Sequence, residues 1–303
     1  MRKKFFFSII IPTFNSANFL ARAVNSVIKQ SYKKYEVIII DNNSTDSTNS
    51  YLKTLKQKNI KIIKTNNNGI IAKSRNLGIK KAKGDWIAFL DSDDTWKKNK
   101  LKIFYNHIKK NKTDFLSSNC NLIFNNGEKK IFNNKNYKIN NNILNELIIK
   151  RNFIGASSAV VNRNFLIKNN LRFNEGIKFT TVEDLDLWIN IVKVGAKFFY
   201  INKQLTNHYK HNSNMSNDIL HYRNLLLTLN SHIFKKKNIK MNKIIWLKIF
   251  IINILRASNF LFKKNKKTFF LLIILLLFVF SFKVFTFNIY ISKKNINSIF
   301  KYL

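Results

Sequence analysis

Gly84-Asp-Trp-Ile-Ala-Phe-Leu-Asp-Ser-Asp-Asp94 decides how this chain folds. A glycine resets the backbone, the apolar run Trp86 to Leu90 has strand length, and it leads straight into Asp91, Asp93 and Asp94. Upstream, Phe5 to Ile11 (closed by Pro12), Tyr35 to Ile40 and Ile60 to Thr65 read as three more strands. Asn18 to Gln30, Ser47 to Lys56 and Ile70 to Ala82 read as the helices between them, the first with Leu20, Val24, Val27 and Ile28 near helical spacing. Apolar strands alternating with helices predict an α/β fold, a doubly wound, mostly parallel sheet with flanking helices. Such sheets bind ligands beyond the carboxyl ends of their strands. The polar clusters Thr13 to Asn15, Asp41 to Ser44 and Asp91 to Asp94 all follow strands, so they converge on that edge and mark one site.

Further along, Asn125 to Asn142 reads as a hairpin or surface loop, Phe153 to Val161 as a buried strand or turn-strand, and Thr181 to Val194 as a helix. Past Asn217 the character changes. Ile219 to Phe234 and Lys243 to Phe262 read as helices, and in the second Lys248, Asn253, Arg256 and Asn259 fall on a strip about 140° wide at 100° per residue. Phe269 to Phe282 is apolar except for Ser281 and is flanked by lysines. At 1.5 Å per residue it measures about 21 Å, short of the roughly 30 Å of a bilayer core. Extending it to Ile291 takes in Lys283 and Asn288, which favours an interfacial or re-entrant segment over a clean span. The expected organisation is a catalytic domain over residues 1–216 and a helical, membrane-associated region over 217–303 with its apolar segment at 269–291.

A formal charge of +39 invites a nucleic-acid reading, but the basic residues are spread along the chain, and no zinc-finger, RNP-like or P-loop pattern accompanies them. The abundance of Lys, Asn, Ile and Phe fits A/T-rich codons filling permissive positions. With the apolar C-terminus, an anionic membrane surface is the better partner for this charge. The stretch Met1 to Pro12 lacks the length and cleavage site of a signal peptide, and the single Cys120 fits a reducing compartment. These features lead to the expectation that the chain sits on the cytoplasmic face of the inner (plasma) membrane, peripheral or monotopic via the C-terminus.

Asp91 and Asp93, at i and i+2 on a strand-ending turn, can face one ligand with hard oxygens suited to Mg²⁺ or Mn²⁺. The competing role is a helix N-cap, with Asp93 or Asp94 starting a helix through Trp96 and Leu101. Glu183, Asp184 and Asp186 crowd the start of a helix in a chain with only fifteen acidic residues, more than dipole compensation asks for. A carboxylate there suits general-base work on a hydroxyl, and at an ordinary pKa it is already ionised at neutral pH. His211, in the stretch His208 to Ser213, can ligate a metal or meet phosphate, although a lone histidine is more often a surface residue. No G-x-G-x-x-G motif occurs.

These pieces resemble family 2 glycosyltransferases of the GT-A fold. The matching stretches are Ser8-Ile-Ile-Ile-Pro-Thr-Phe-Asn15, Ile40-Asp-Asn-Asn-Ser-Thr-Asp46, Ser74-Arg-Asn-Leu-Gly78, Gly84 to Asp94, Glu183-Asp-Leu-Asp-Leu-Trp188, and Tyr209…His211…Ser213, in family order over residues 5 to 216. The resemblance implies a nucleotide pocket lined by Pro12, Thr13, Phe14, Asn15, Asp41 and Asn42. It puts Arg75 near the nucleotide or diphosphate, and Asp91 at the ribose or metal. Asp93 would be the principal metal ligand, and His211 would sit near metal and diphosphate. Asp184 would be the catalytic base, with Glu183 beside it shaping the acceptor site.

The implied reaction is inverting transfer of one sugar from a nucleotide-diphosphate sugar, a UDP-sugar by preference, to a hydroxyl of a glycan or lipid-linked acceptor. Cell-surface polysaccharide or lipopolysaccharide synthesis is the implied setting. Asn42 stands where many relatives carry Asp, Lys98 stands where Pro is common, and the Gln-x-x-Arg-Trp motif of processive synthases is absent. The alternative is a catalytically silent nucleotide-sugar-binding module of the same fold, against which every placed catalytic position is present.

Overall fold

A computed structural model describes residues 5–132, 143–150, 152–211 and 219–234. The expected helix at Lys243 to Phe262, the apolar segment at 269–291 and part of the Asn-rich stretch lie outside the described residues. The chain divides into two compact units. The first comprises residues 1–147, 151–175 and 183–212, and the second residues 148–150, 176–182 and 213–303.

The first unit opens with β1 (Phe7–Thr13), α1 (Leu20–Ile28), β2 (Tyr35–Asp41), α2 (Thr48–Thr54), β3 (Ile60–Lys64), α3 (Ile71–Lys81) and β4 (Trp86–Phe89). All of β1 is buried, as its unbroken apolar run demands of a strand covered on both faces. Helix α1 buries Leu20, Ala23, Val24 and Val27, the i, i+3, i+4, i+7 stripe of an amphipathic helix. Strand β3 ends the sheet, and its Lys61 and Lys64 are exposed, which discourages further edge pairing. Helix α3 lies tight on β1 at Gly78, where a Cβ would fall 2.5 Å from Ile10. At Gly84 a Cβ would fall 2.6 Å from the Ser8 nitrogen, so the turn into β4 requires glycine.

The chain continues through β5 (Thr95–Trp96), α4 (Lys100–Lys110), β6 (Phe115–Phe124), β7 (Lys129–Ile131) and α5 (Ile143–Asn145), which runs into a π-turn at Glu146–Lys150. After a 3₁₀ turn at Ala156–Ser158 come β8 (Val160–Asn162), α6 (Arg163–Lys168), α7 (Glu183–Lys193) and β9 (Phe198–Lys210). The described strands form one sheet in the order β3-β2-β1-β4-β8-β6-β9-β5, with β7 paired to β6.

This sheet corrects the expected mostly parallel one. The β1–β2, β1–β4, β2–β3 and β6–β9 ladders are parallel, but β4–β8, β5–β9, β6–β7 and β6–β8 are antiparallel. The half read from apolar runs is parallel, and the added strands make the whole mixed. Strands β6 and β9 carry buried Ser117, Ser118, Asn119, Asn121 and Thr206 and so do not read as apolar runs.

The competing helix N-cap role for the turn after β4 is not taken up. Helix α4 starts at Lys100 with Asn99 before it, and Trp96 lies in β5, so neither Asp93 nor Asp94 caps a helix there. The β6–β7 hairpin occupies the start of the stretch expected to be a hairpin or loop.

In the second unit, α8 (Ile219–Phe234) packs on the 3₁₀ turn Ile177–Phe179. Asn224 Nδ2 donates to the Thr180 carbonyl at 2.8 Å, and His221 Nδ1 lies 3.1 Å from Thr181 Oγ1. Among the described residues no helix is long and apolar enough to cross a membrane.

Candidate active site

Strand order reverses at β1, whose neighbours are β2 on one side and β4 on the other, so the ligand crevice is expected at the carboxyl ends of β1 and β4. There Ser16 Oγ lies 2.9 Å from Ser92 Oγ, joining the loop after β1 to the carboxylate turn after β4. The loop after β2 is sewn to the same place. Asn15, left-handed at φ 44°, donates its N–H to Ser44 Oγ at 3.0 Å, and its side chain accepts from Thr45 N–H at 2.8 Å.

Of the residues expected to hold a nucleotide, Pro12, Thr13, Asp41 and Asn42 are buried, while Phe14 is 53% exposed. Asp41 Oδ1 accepts from the Ser44 hydroxyl at 2.6 Å and from the Ser44 N–H at 3.2 Å, but its Oδ2 is buried without a partner. Thr13 Oγ1 and Asn67 Oδ1 are likewise buried and unpartnered. Asn42 Oδ1 accepts from the Asn67 N–H at 2.9 Å, which ties the loop after β3 to this corner. Each unmet polar atom costs about 1–3 kcal/mol, an arrangement that a bound polar heterocycle would relieve.

Arg75 is 3% exposed and bridges two elements. Its Nη2 donates to Asp91 Oδ1 at 2.7 Å and its Nη1 to Glu183 Oε1 at 2.5 Å. Although burial disfavours its charge, the Asp91 and Glu183 carboxylates raise its pKa further, so it stays protonated. The guanidinium therefore fastens the turn after β4 to the first turn of α7, and Glu183 serves this tie.

Asp184, half-buried beside it, accepts from the Leu185 N–H at 2.7 Å and from Asn152 Nδ2 at 3.0 Å. Burial and the Glu183 carboxylate push its pKa up to about 7, against the pull of Arg75. This carboxylate is thus poised near neutrality, contrary to the ordinary value read from the sequence.

Asp93 Oδ2 lies 3.0 Å from His211 Nε2. Helix α1 and the end of β9 close around this pair: Phe19 stacks on His211 at 4.9 Å, and Arg22 sits 3.6 Å above the Tyr209 ring while donating to the Asp93 carbonyl at 2.7 Å. Burial and the neighbouring Asp94 and Asp91 carboxylates push Asp93 up to about 6, so the turn carries more negative charge than it comfortably holds. Asp94 is fully buried and does other work. Despite burial, His208 at 3.0 Å holds its pKa down, and it also accepts from the Tyr209 N–H at 3.2 Å.

Among the described residues no three His, Cys, Asp or Glu side chains are grouped closely enough to hold a metal ion alone. Asp91 turns to Arg75 instead of joining Asp93 and His211. A crowded carboxylate turn with one histidine nonetheless fits Mg²⁺ or Mn²⁺, because such ions commonly take one or two protein carboxylates and draw their other ligands from substrate phosphates and water.

Behind the turn lies a post that the sequence did not reveal. Ser157 Oγ accepts the Asp91 N–H at 3.0 Å, while the Ser157 carbonyl accepts from Trp96 Nε1 at 2.7 Å, Lys100 Nζ at 2.7 Å and Thr206 Oγ1 at 3.2 Å. Lys100 is wholly buried, and burial holds its pKa well below that of an ordinary lysine. Its partners are neutral: the Ser157 carbonyl, Thr206 Oγ1 at 2.7 Å and the Trp96 ring at 4.6 Å. Helical spacing carried a signal, since Lys100 shares the inner face of α4 with Leu101, Phe104, Tyr105 and Ile108.

A mixed α/β sheet with a carboxylate turn at its switch point, joined through a buried arginine to an acidic helix start, is GT-A-like. The model of Glycosyl transferase family 2 matches residues 8–169, more than half of the chain. The chain belongs to glycosyltransferase family 2. A relative of this glycosyltransferase is the Escherichia coli UDP-Glc:alpha-D-GlcNAc-diphosphoundecaprenol beta-1,3-glucosyltransferase WfgD, 33% identical over 193 residues, covering 61% of this chain and 69% of WfgD. Several other curated relatives are longer, and the chain spans only 26% to 38% of their length.

Among solved structures, Staphylococcus aureus TarS 1-349 in complex with UDP-GlcNAc shares the fold at a TM-score of 0.63 and 21% identity, over 87% of this chain and 75% of that one. The Pyrobaculum calidifontis mannosyltransferase PcManGT, in complex with GDP-Man and Mn²⁺, does so at 0.59 and 17% identity, over 86% of this chain and 72% of that one.

Proposed function

We propose that this glycosyltransferase moves one sugar from a nucleoside-diphosphate sugar, with uridine as the preferred nucleoside, onto a hydroxyl of a lipid-linked or cell-surface glycan, with inversion. The observation that carries the reading is the Arg75 bridge. It holds Asp91, beside the expected metal ligand Asp93, and Glu183, beside the expected base Asp184, on one buried cation.

Asp184 accepts the proton of the acceptor hydroxyl. The freed oxygen bonds to the anomeric carbon as the bond from that carbon to the diphosphate oxygen breaks, and the nucleoside diphosphate leaves. A divalent cation held by Asp93 and His211, with Asp91 near the ribose or the ion, would supply charge neutralisation for the diphosphate. Arg22, whose guanidinium donates to the Asp93 backbone carbonyl, holds the backbone of that turn in place.

The unpartnered Asp41 Oδ2 is an acceptor awaiting an N–H, and the imide edge of uracil offers one. A panel of UDP, GDP, dTDP, CDP and UMP, each with and without Mn²⁺, tests the donor class by thermal shift. UDP is expected to stabilise the protein with metal, by about 2.7 kcal/mol at a hundred times its Kd. If no diphosphate stabilises the protein in either condition, the donor reading is wrong and a silent module takes its place.

Lipid-linked acceptors, like the one in the name of WfgD, sit at a membrane. We therefore place the enzyme at an anionic membrane surface, drawn there by its charge of +39 and the apolar segment at 269–291. Co-sedimentation with phosphatidylglycerol vesicles is expected at low salt and should weaken, though not vanish, at high salt. Equal recovery with phosphatidylcholine vesicles would remove the electrostatic part of this placement.

A further inference from the structure

Asn152 precedes the buried Phe153–Ile154 pair and sits where no catalytic assignment reaches. Its side-chain amide is used at both ends. Oδ1 accepts the Ile154 N–H at 3.1 Å, and Nδ2 donates to Asp184 Oδ2 at 3.0 Å. Because the oxygen is committed to its own turn, only the nitrogen can face the carboxylate, so the hydrogen-bond network fixes the amide's orientation.

The turn itself is pinned by the helix that carries the base. Trp188, fully buried and one helical turn after Asp184, donates its indole N–H to the Ile154 carbonyl at 2.9 Å. Residues four apart share a helix face, so α7 grips this segment at two points, once through structure and once through the carboxylate.

We infer that Asn152 is the positioning residue of the catalytic base, fixing the Asp184 carboxylate in the orientation from which it receives the acceptor's proton. The inference rests on the reading of Asp184 as that base. With the Leu185 N–H on Oδ1 and Asn152 on Oδ2, each oxygen has one donor and keeps one acceptor position for substrate. Four polar influences face the carboxylate: Glu183 alongside it on α7, the Arg75 guanidinium from α3, the Leu185 N–H and the Asn152 amide. Glu183 opposes its ionisation and the other three favour it, so loss of the amide raises the pH at which the base becomes active.

Asn152→Asp tests this, because it keeps an oxygen for the Ile154 N–H, and hence the turn, while replacing the donor with a carboxylate. Asn152→Leu removes both bonds and serves as the second variant. In profiles of kcat/KM against pH, the acid limb is expected to move up by about one pH unit in Asn152→Leu and further in Asn152→Asp, with activity recovering at high pH. An acid limb unmoved in the folded variants, whether activity is kept or is lost uniformly at every pH, overturns the inference. Asp184→Asn runs beside them. If it turns over like the wild type, the assignment of the base has failed, a result that no Asn152 profile can mimic.

Discussion

Asp184→Asn is expected to lower kcat by about 10²–10⁴-fold, the span a positioned general base contributes, while metal-dependent UDP binding should change little. The substitution is conservative where it matters for folding. The new amide oxygen can still accept from the Leu185 N–H or from Asn152 Nδ2. The stability effect has a definite sign. Folding raises the Asp184 pKa to about 7, above its unfolded value, so the folded state binds more protons between the two values, and stability falls as pH rises through that window. The variant does not carry this penalty and is expected to melt higher than the wild type at pH 8. Wild-type kcat/KM should fall about tenfold per pH unit below roughly pH 7, where the base is protonated. Measured turnover, melting temperature and the pH profile check all of this; a variant that is active and melts lower than wild type would contradict it on both counts.

Asp93→Ala is expected to abolish the part of UDP stabilisation that depends on Mn²⁺ and to lower kcat/KM by about 10²-fold or more, equivalent to several kcal/mol of charge stabilisation. The electrostatics lead to the same expectation. Burial, Asp94 and Asp91 push Asp93 up to about 6, so a proton competes with a cation for this carboxylate, and metal-dependent stabilisation should fade as pH falls below that value. Asp94→Asn is the informative contrast. That residue is fully buried and committed to His208 and the Tyr209 N–H, so its loss should lower melting temperature with or without nucleotide. Thermal shift across the three proteins and several pH values separates the outcomes. Equal loss of metal response from both substitutions would mean that the turn acts only as a unit.

The strands that were legible in the sequence are those whose burial is paid in apolar side chains. Residues Phe7–Thr13, Tyr35–Asp41 and Trp86–Phe89 announce themselves, and so do the polar ends that converge on the site. Strands β6 and β9 did not, because several of their buried polar groups are satisfied from far along the chain. Asn121 Nδ2 donates to Asn207 Oδ1 at 2.9 Å, Asn207 Nδ2 donates to Thr95 Oγ1 at 3.2 Å, and Ser117 Oγ meets Ser158 Oγ at 2.9 Å. Local pattern carries no trace of partners 41 to 112 residues away.

The candidate site divides the same way. Asp91, Asp93, Asp184 and His211 stood out by residue type and motif, whereas Arg22, Lys100, Asn152 and Ser157 act through contacts that exist only after folding. His208 lay inside a stretch already singled out, yet its pairing with Asp94 needed the β5–β9 ladder to bring it there.

The loops after β1, β2 and β3 each turn on an asparagine in the left-handed region: Asn15, Asn43 and Asn68, at φ 44°, 56° and 56°. A chain with only seven glycines has handed this duty to asparagine, the other residue that visits that region readily. The abundance of Asn in this chain is therefore not incidental at every position. At Asn43 and Asn68, whose side chains are exposed, glycine would be accepted in place of Asn, while most other residues would meet a steric barrier of about 1–2 kcal/mol. At Asn15 the side chain also holds the Thr45 N–H, so its identity is locked twice over. Backbone geometry at the rim of the crevice thus sets which of these asparagines can be exchanged, and for what.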